Sequence, residues 1–170
     1  MGTRSITIFK DGKKEIVVMY RQMNGYMKNG HGQELAQFLA GGKMVNGIGG
    51  DGKDAKIFNG MGCLSAQTIA RFKYGFGSIW LAGDEESPKI FDDKGRLSAK
   101  VVSHFKDSVG SIYLEPAGTR NCGEDFVYIV TGTEGHEPVI ECYEKHYKEP
   151  DELIARGFAS DVLKFIQKMQ

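Results

Sequence analysis

The sequence predicts an α+β fold: a mostly antiparallel sheet with an N-terminal hairpin, a C-terminal meander and helices packed mainly on one face. Three observations carry this. The chain opens with a β-branched run, Ser5-Ile6-Thr7-Ile8-Phe9, followed by an Asp11-Gly12 turn and a returning apolar run over residues 15–20. Its last third alternates short apolar runs with glycine turns. Between them lie stretches with helical spacing of apolar residues. Helices covering one side of an antiparallel sheet are the usual solution for such a pattern.

Taken in order, the hairpin leads through Gly30 and Gly32 into residues 34–39, where Leu35, Phe38 and Leu39 mark a short helix that Gly41-Gly42 ends. Residues 41–62 are glycine-rich and without period, and read as a long loop of the kind that carries function or acts as a lid. A helix is expected over residues 64–73, with Leu64, Ile69 and Phe72 inward, then a strand at Ser78-Ile79-Trp80-Leu81. Residues 66–81 and 99–114 align with seven identities in sixteen positions, Trp80 lying opposite Tyr113. Each copy reads as helix, glycine turn and strand, a local duplication within one domain spanning residues 1–170, since two copies are too few for a solenoid. Residues 112–114, 125–130 and 138–143 are expected to form the meander. Pro150-Asp151-Glu152 reads as the start of a closing helix, with Leu153, Ile154, Phe158, Val162, Phe165 and Ile166 on its apolar face.

Composition narrows the function. Of 170 residues, 41% are hydrophobic and 26% charged, as in an ordinary globular domain. Lys plus Arg equals Asp plus Glu at 22 each, so no basic field marks a nucleic-acid polymer as partner. No apolar run is long enough to span a bilayer, and the first residues read as a strand rather than a leader. Ile6 stands where a myristoylation motif wants Ser or Thr. Cys63, Cys122 and Cys142 lack CxxC spacing, which fits reduced thiols and a cytoplasmic location.

The motifs favour binding over catalysis. Residues 47–53 fit GxxxxGK, but Asp54 stands where the phosphate loop needs Ser or Thr, and the glycine-broken continuation is no helix. The four histidines share no metal-ligand spacing, no GxSxG elbow occurs, and neither a metal nor a cofactor is expected. Glu124 and Asp125 remain as possible bases. The triplet Gly-Thr-Arg occurs twice, at residues 2–4 and 118–120, placing Thr3, Arg4, Thr119 and Arg120 as a hydroxyl and a planar fork beside permissive backbone. Arg21 follows Tyr20 and Tyr26 follows Asn24-Gly25, so aromatics and arginines meet at strand ends as a stacked base with phosphates would require. Lys53 is the cation of the glycine-rich loop.

The blocks MGTRSITIF, VVMYRQMNGY, HGQELAQFLAG, NGMGCLSAQTIARFK and GSIYLEPAGTRNCGEDFVYIV resemble a set of small phage and bacterial proteins that begin MGTR. Two departures stand out: Asn24-Gly25-Tyr26-Met27 replaces the usual DGYP, and the repeated segment between residues 66 and 115 looks like an insertion. The group is similar to phage sponge proteins that sequester cyclic dinucleotide signals of bacterial CBASS immunity. That resemblance implies a non-enzymatic homo-oligomer in the host cytoplasm that binds a cyclic nucleotide. Under it Arg4, Arg21 and Arg120 meet phosphates or guanine edges, Tyr26 and Trp80 stack on bases and Thr3 donates a hydrogen bond; if the glycine-rich loop is a lid, Lys53 reaches a phosphate. The alternatives are a metal-independent nucleotide hydrolase using Glu124 or Asp125, and a protein-binding inhibitor using the glycine-rich loop.

Overall fold

The computed structural model describes residues 2–47, 56–81, 112–146 and 148–169, with residues 74–81 described for their backbone only. The β-branched opening pairs as expected: β1 (Ser5–Asp11) and β2 (Lys14–Arg21) form an antiparallel hairpin running in register from Ser5↔Arg21 to Asp11↔Lys14. Gly12 takes the left-handed conformation (φ 57°) that the turn demands. α1 (His31–Leu39) follows and stops where Gly41 turns left-handed (φ 71°).

Six strands make the main sheet. β5 (Ile112–Glu115), β6 (Phe126–Thr131), β7 (Val139–Glu144) and β8 (Glu152–Phe158) join the hairpin in the order β5-β2-β1-β6-β7-β8. β1 and β6 are parallel; the other neighbours are antiparallel. The α+β class, the N-terminal hairpin and the C-terminal meander therefore stand, the meander being β6-β7-β8. β5 is no part of it. It pairs with β2 at the far edge, Tyr20 opposite Tyr113. The chain must then cross β2 and β1 to start β6, and residues 116–125 make that crossing with Cys122 packed on the sheet.

Side-chain alternation divides the sheet between two cores. One face sends Phe9, Met19, Tyr128, Val130 and Ile140 into the main core against the helices. These are α1, α2 (Gly60–Leu81) and α3 (Ala159–Lys168), represented there by Leu35, Leu64 and Val162 among others. The opposite face buries a smaller cluster of Ile6, Ile8, Val18, Tyr20 and Val127.

Several expected elements differ. Ser78-Ile79-Trp80-Leu81 is the last turn of α2, not a strand. A four-residue apolar run carries no period that distinguishes strand from buried helix, and Gly75 and Gly77 are tolerated inside α2 at about 1 kcal/mol each. The two repeat copies consequently differ in form: residues 79–81 are helical, whereas the aligned residues 112–114 are a strand, and residues 99–111 lie outside the described residues. The closing helix begins only at Ala159. Residues 152–158 are β8, in which Gly157 lies opposite Ile140. The four-residue spacing of Ile154, Phe158 and Val162 imitates a helical stripe across a strand–helix junction. Leu153, Phe158 and Phe165 are accordingly 48%, 41% and 44% exposed, while Val162 and Ile166 are buried.

The long loop also contains structure. β3 (Lys43–Val45) and β4 (Ile57–Asn59) pair in parallel, and α2 starts at Gly60. Residues 48–55, with Lys53 and most of the GxxxxGK near-match, lie outside the described residues. Phe58 anchors the pair: it is fully buried, meets Phe38 edge-on at 6.1 Å, and lies so close to Gly42 that an added Cβ would come within 2.3 Å of its ring. Phe58→Ala should cost about 3–5 kcal/mol in chemical unfolding, as for a core aromatic; a loss under about 1 kcal/mol would show β3 and β4 to be peripheral.

Candidate functional site

Of the predicted site residues, Thr3, Arg4, Arg21 and Tyr26 lie at one end of the sheet, where β1 begins, β2 ends and β6 begins. Three backbone segments are tied there. Gly25 N–H donates to Thr3 O (2.9 Å); Asp125 N–H and Phe126 N–H donate to Arg4 O (2.9 and 3.2 Å); Arg4 N–H donates to the Asp125 carboxylate (2.8 Å). Gly25 is required for this closeness, since a Cβ would lie 2.6 Å from the Arg4 carbonyl carbon. Thr3, Arg4 and Tyr26 are thus brought together. Tyr26 is 50% exposed, its ring 6.2 Å from that of Phe126.

The Arg4 side chain turns to the face opposite the helices. Its guanidinium lies against Gly123, which has φ 74° and no room for a Cβ (2.8 Å from Nη1), and makes no ion pair among the described residues. It sits beside the Tyr20 hydroxyl, whose acidity burial weakens and the Arg4 charge partly restores. Tyr20 donates to Gln22 Oε1 (2.5 Å) and its ring is 6.0 Å from that of Tyr113, which is 42% exposed. Nearby, Glu124 is only 6% exposed. Its Oε1 receives a long contact from Asn121 N–H (3.4 Å), and its Oε2 is buried without a hydrogen-bond partner among the described residues. Burial, then the charges of Glu124 and Glu115, raise the Cys122 thiol, which disfavours the thiolate a nucleophile needs.

Arg21, expected at this strand end as a ligand contact, is instead turned inward and is 1% exposed. Its Nε donates to Met23 O (2.8 Å), and Nη1 donates to Glu34 Oε2 (2.5 Å) and to His31 Nδ1 (3.1 Å). A guanidinium only donates, so Nδ1 must accept and His31 carries its proton on Nε2. That N–H donates to Thr7 Oγ1 at 2.6 Å. Burial first, then the Arg21 charge, hold the imidazole well below its usual pKa. Locked in this tautomer, His31 cannot take a proton from Thr7, so the pair is structural despite its resemblance to a nucleophile and base.

The second Gly-Thr-Arg lies elsewhere. Arg120 Nη2 pairs with Glu15 Oε1 (2.5 Å), Gly118 N–H donates to Glu15 Oε2 (2.8 Å), and Thr119 O accepts from Arg120 Nη1 (2.7 Å). The Arg120 hydrogen bond, opposed by burial, holds the Glu15 carboxyl below its ordinary range. Glu15 faces Lys10 at the hairpin end, five residues along β1 from Ser5 and therefore about 17 Å away at 3.3 Å per residue. The two triplets do not form one phosphate site. Trp80 belongs to the backbone-only stretch of α2, and Lys53 is not described. Sequence reading missed Tyr20 and Tyr113 as site residues; their only signals were adjacency to Arg21 and alignment with Trp80. No three His, Cys, Asp or Glu among the described residues are grouped to hold a metal, and no described helix is long and apolar enough to cross a membrane.

His31 generates a pH prediction. Its folded pKa is depressed, so below about pH 6.5 the unfolded chain binds a proton that the native protein does not. The stability it contributes is complete above that pH and is lost on acidification, at up to about 1.4 kcal/mol per pH unit. Unfolding titrations from pH 7.5 to 5.5 should give His31→Gln a shallower acid slope than the parent, by about one proton. Equal slopes would mean that His31 titrates normally.

No protein-family model, curated protein or solved structure matches the chain, so the functional reading rests on the residues of this sheet end.

Proposed function

We propose that the protein is a non-enzymatic binder that sequesters a small anionic ligand bearing an aromatic ring, of the cyclic (di)nucleotide class. In this reading it serves as a phage counter-defence protein in the host cytoplasm and works as a homo-oligomer. The observation that carries the reading is the Arg4 guanidinium, half-buried, outside any described ion pair, and set at the hydroxyl of Tyr20, whose ring lies 6.0 Å from the exposed ring of Tyr113. A planar cation beside an aromatic face suits a phosphate joined to a base. Tyr26 and Thr3 border the same end from the other face. The resemblance to MGTR-type phage proteins supports the same assignment.

The hydrolase alternative is less well supplied. Asp125 is spent on the Arg4 amide, Cys122 is held protonated, and His31 is locked as an acceptor from Arg21. The inhibitor alternative depends on residues 41–62, of which 48–55 lie outside the described residues.

Incubation with a panel of cyclic nucleotides, removal of excess, heat denaturation and analysis of the released material separates the readings. Intact nucleotide is the expected product; chemically altered nucleotide would indicate an enzyme, and nothing retained would contradict sequestration. Arg4→Ala should weaken binding at least tenfold, about 1.4 kcal/mol. Its melting temperature should change little, because the fold uses the Arg4 backbone rather than its guanidinium. Arg120→Ala, at the far end, should leave affinity unchanged. The reverse ranking of the two variants would move the site to the hairpin end.

A further inference from the structure

We propose that Glu124 selects the base of the bound nucleotide, accepting the paired N–H donors of a guanine edge; this rests on the ligand-binding reading of the same sheet end. Glu124 precedes β6, with Gly123 between it and Cys122, and the Cα of Gly123 packs against the Arg4 guanidinium. The carboxylate residue thus directly follows the glycine against which a cation, outside any ion pair among the described residues, is packed. The Glu124 charge also acts on the Cys122 thiol, which in turn borders Tyr20, so these groups share one electrostatic neighbourhood.

Oε2 is the unusual atom. Among the described residues it is buried with no partner, in a residue 94% removed from solvent, and Oε1 has only the long Asn121 contact. Buried polar atoms are nearly always hydrogen-bonded, and an unsatisfied charged oxygen is among the costlier defects a fold can hold. A ligand edge that displaces the cover over this oxygen and brings donors to it gains that missing interaction. One that brings an acceptor meets repulsion instead.

The chemistry of the bases then discriminates. Guanine presents N1–H and the N2 amino group side by side, two donors matched to the two oxygens of a carboxylate. Adenine presents its N6 amino group beside N1, a donor beside an acceptor, and its N1 would face a carboxylate oxygen. With phosphate on Arg4 and a ring on Tyr113, the sheet end takes a guanine nucleotide in alternating sign: anion to cation, donor edge to carboxylate. Sites built around a specific hydrogen-bond pattern reject ligands lacking it far more strongly than apolar pockets do.

The test is calorimetric titration of the full chain with 3′,5′-cyclic GMP, 3′,5′-cyclic AMP, cyclic di-GMP and cyclic di-AMP. The parent protein should bind the guanine member of each pair at least tenfold more tightly. Glu124→Gln replaces one acceptor with a donor, matching adenine rather than guanine, and should invert the preference. Glu124→Ala should lose guanine affinity without gaining adenine affinity, and melting curves of both variants establish that they are folded. Equal affinity for both bases in the parent, or an unchanged guanine preference in Glu124→Gln, overturns the assignment alone. Failure of all four ligands to bind overturns the sequestration reading together with it.

Discussion

The buried Arg21 guanidinium is the constraint around which this end of the molecule is organised. It ends β2 on the helix side, binds the following loop through Met23 O, and fixes the first turn of α1 through His31 and Glu34. One cation therefore joins three segments that the hydrophobic core alone would leave free to slide. A buried charge is tolerated only with its partners in place, and removing one member of such a group typically costs about 3–5 kcal/mol. Glu34, itself partly exposed, supplies the neutralising carboxylate. His31 must remain neutral beside it, which extends the network to Thr7 on β1. Tyr128 closes the same region by donating to Gly25 O (2.8 Å), so the loop that carries Tyr26 is held from beneath as well.

That arrangement divides labour between the faces of the sheet. On the helix side most of these polar groups engage one another, Arg21 with Glu34 and His31 and His31 with Thr7, while the buried Ser5 hydroxyl has no partner among the described residues. The opposite side holds a guanidinium without an ion pair among the described residues, set against the Tyr20 hydroxyl. Arg4 sits there beside Tyr20, and the crossing segment from β5 to β6 places Gly123 against Arg4 and Glu124 within reach of Cys122. Because β1, β2 and β6 are fixed by their ladders and by Arg21, the groups at their ends are pre-positioned, which lowers the ordering cost of binding. The parallel pairing of β1 with β6 makes this possible, since it forces the chain to return across the sheet to the end where Arg4 begins.

Local signals were readable where the chain decides its own conformation. Asp11-Gly12 between β-branched runs fixed the hairpin, and Gly41 the end of α1. Elements settled by distant contacts were not readable. Residues 152–158 carry a plausible helical stripe, yet pairing with β7 makes them a strand. The near-identical runs ending in Leu81 and Leu114 adopt helix and strand because β2 offers an edge to the second. The site divides in the same way. Arg4 and Tyr26 were legible as a strand-end cation and aromatic, and Glu124 as a noteworthy acid. Arg21 looked equivalent to Arg4, but partners ten and thirteen residues onward draw it inside. Arg120 shares the triplet of Arg4, yet Glu15, 105 residues away in sequence, engages it. Sequence chemistry named the groups; only tertiary pairing decided which were already taken.

The central claim is that the uncommitted groups at the Arg4 end, and not those at the hairpin end, meet the ligand. The most direct measurement is a titration of ¹⁵N-labelled protein with cyclic GMP, followed by amide chemical shifts. The account predicts shifts concentrated at Arg4, Gln22, Tyr113, Gly123 and Glu124, with Gly118, Thr119 and Arg120 unmoved. Shifts centred on residues 118–120 and Glu15, or no shifts at saturating ligand, would contradict it.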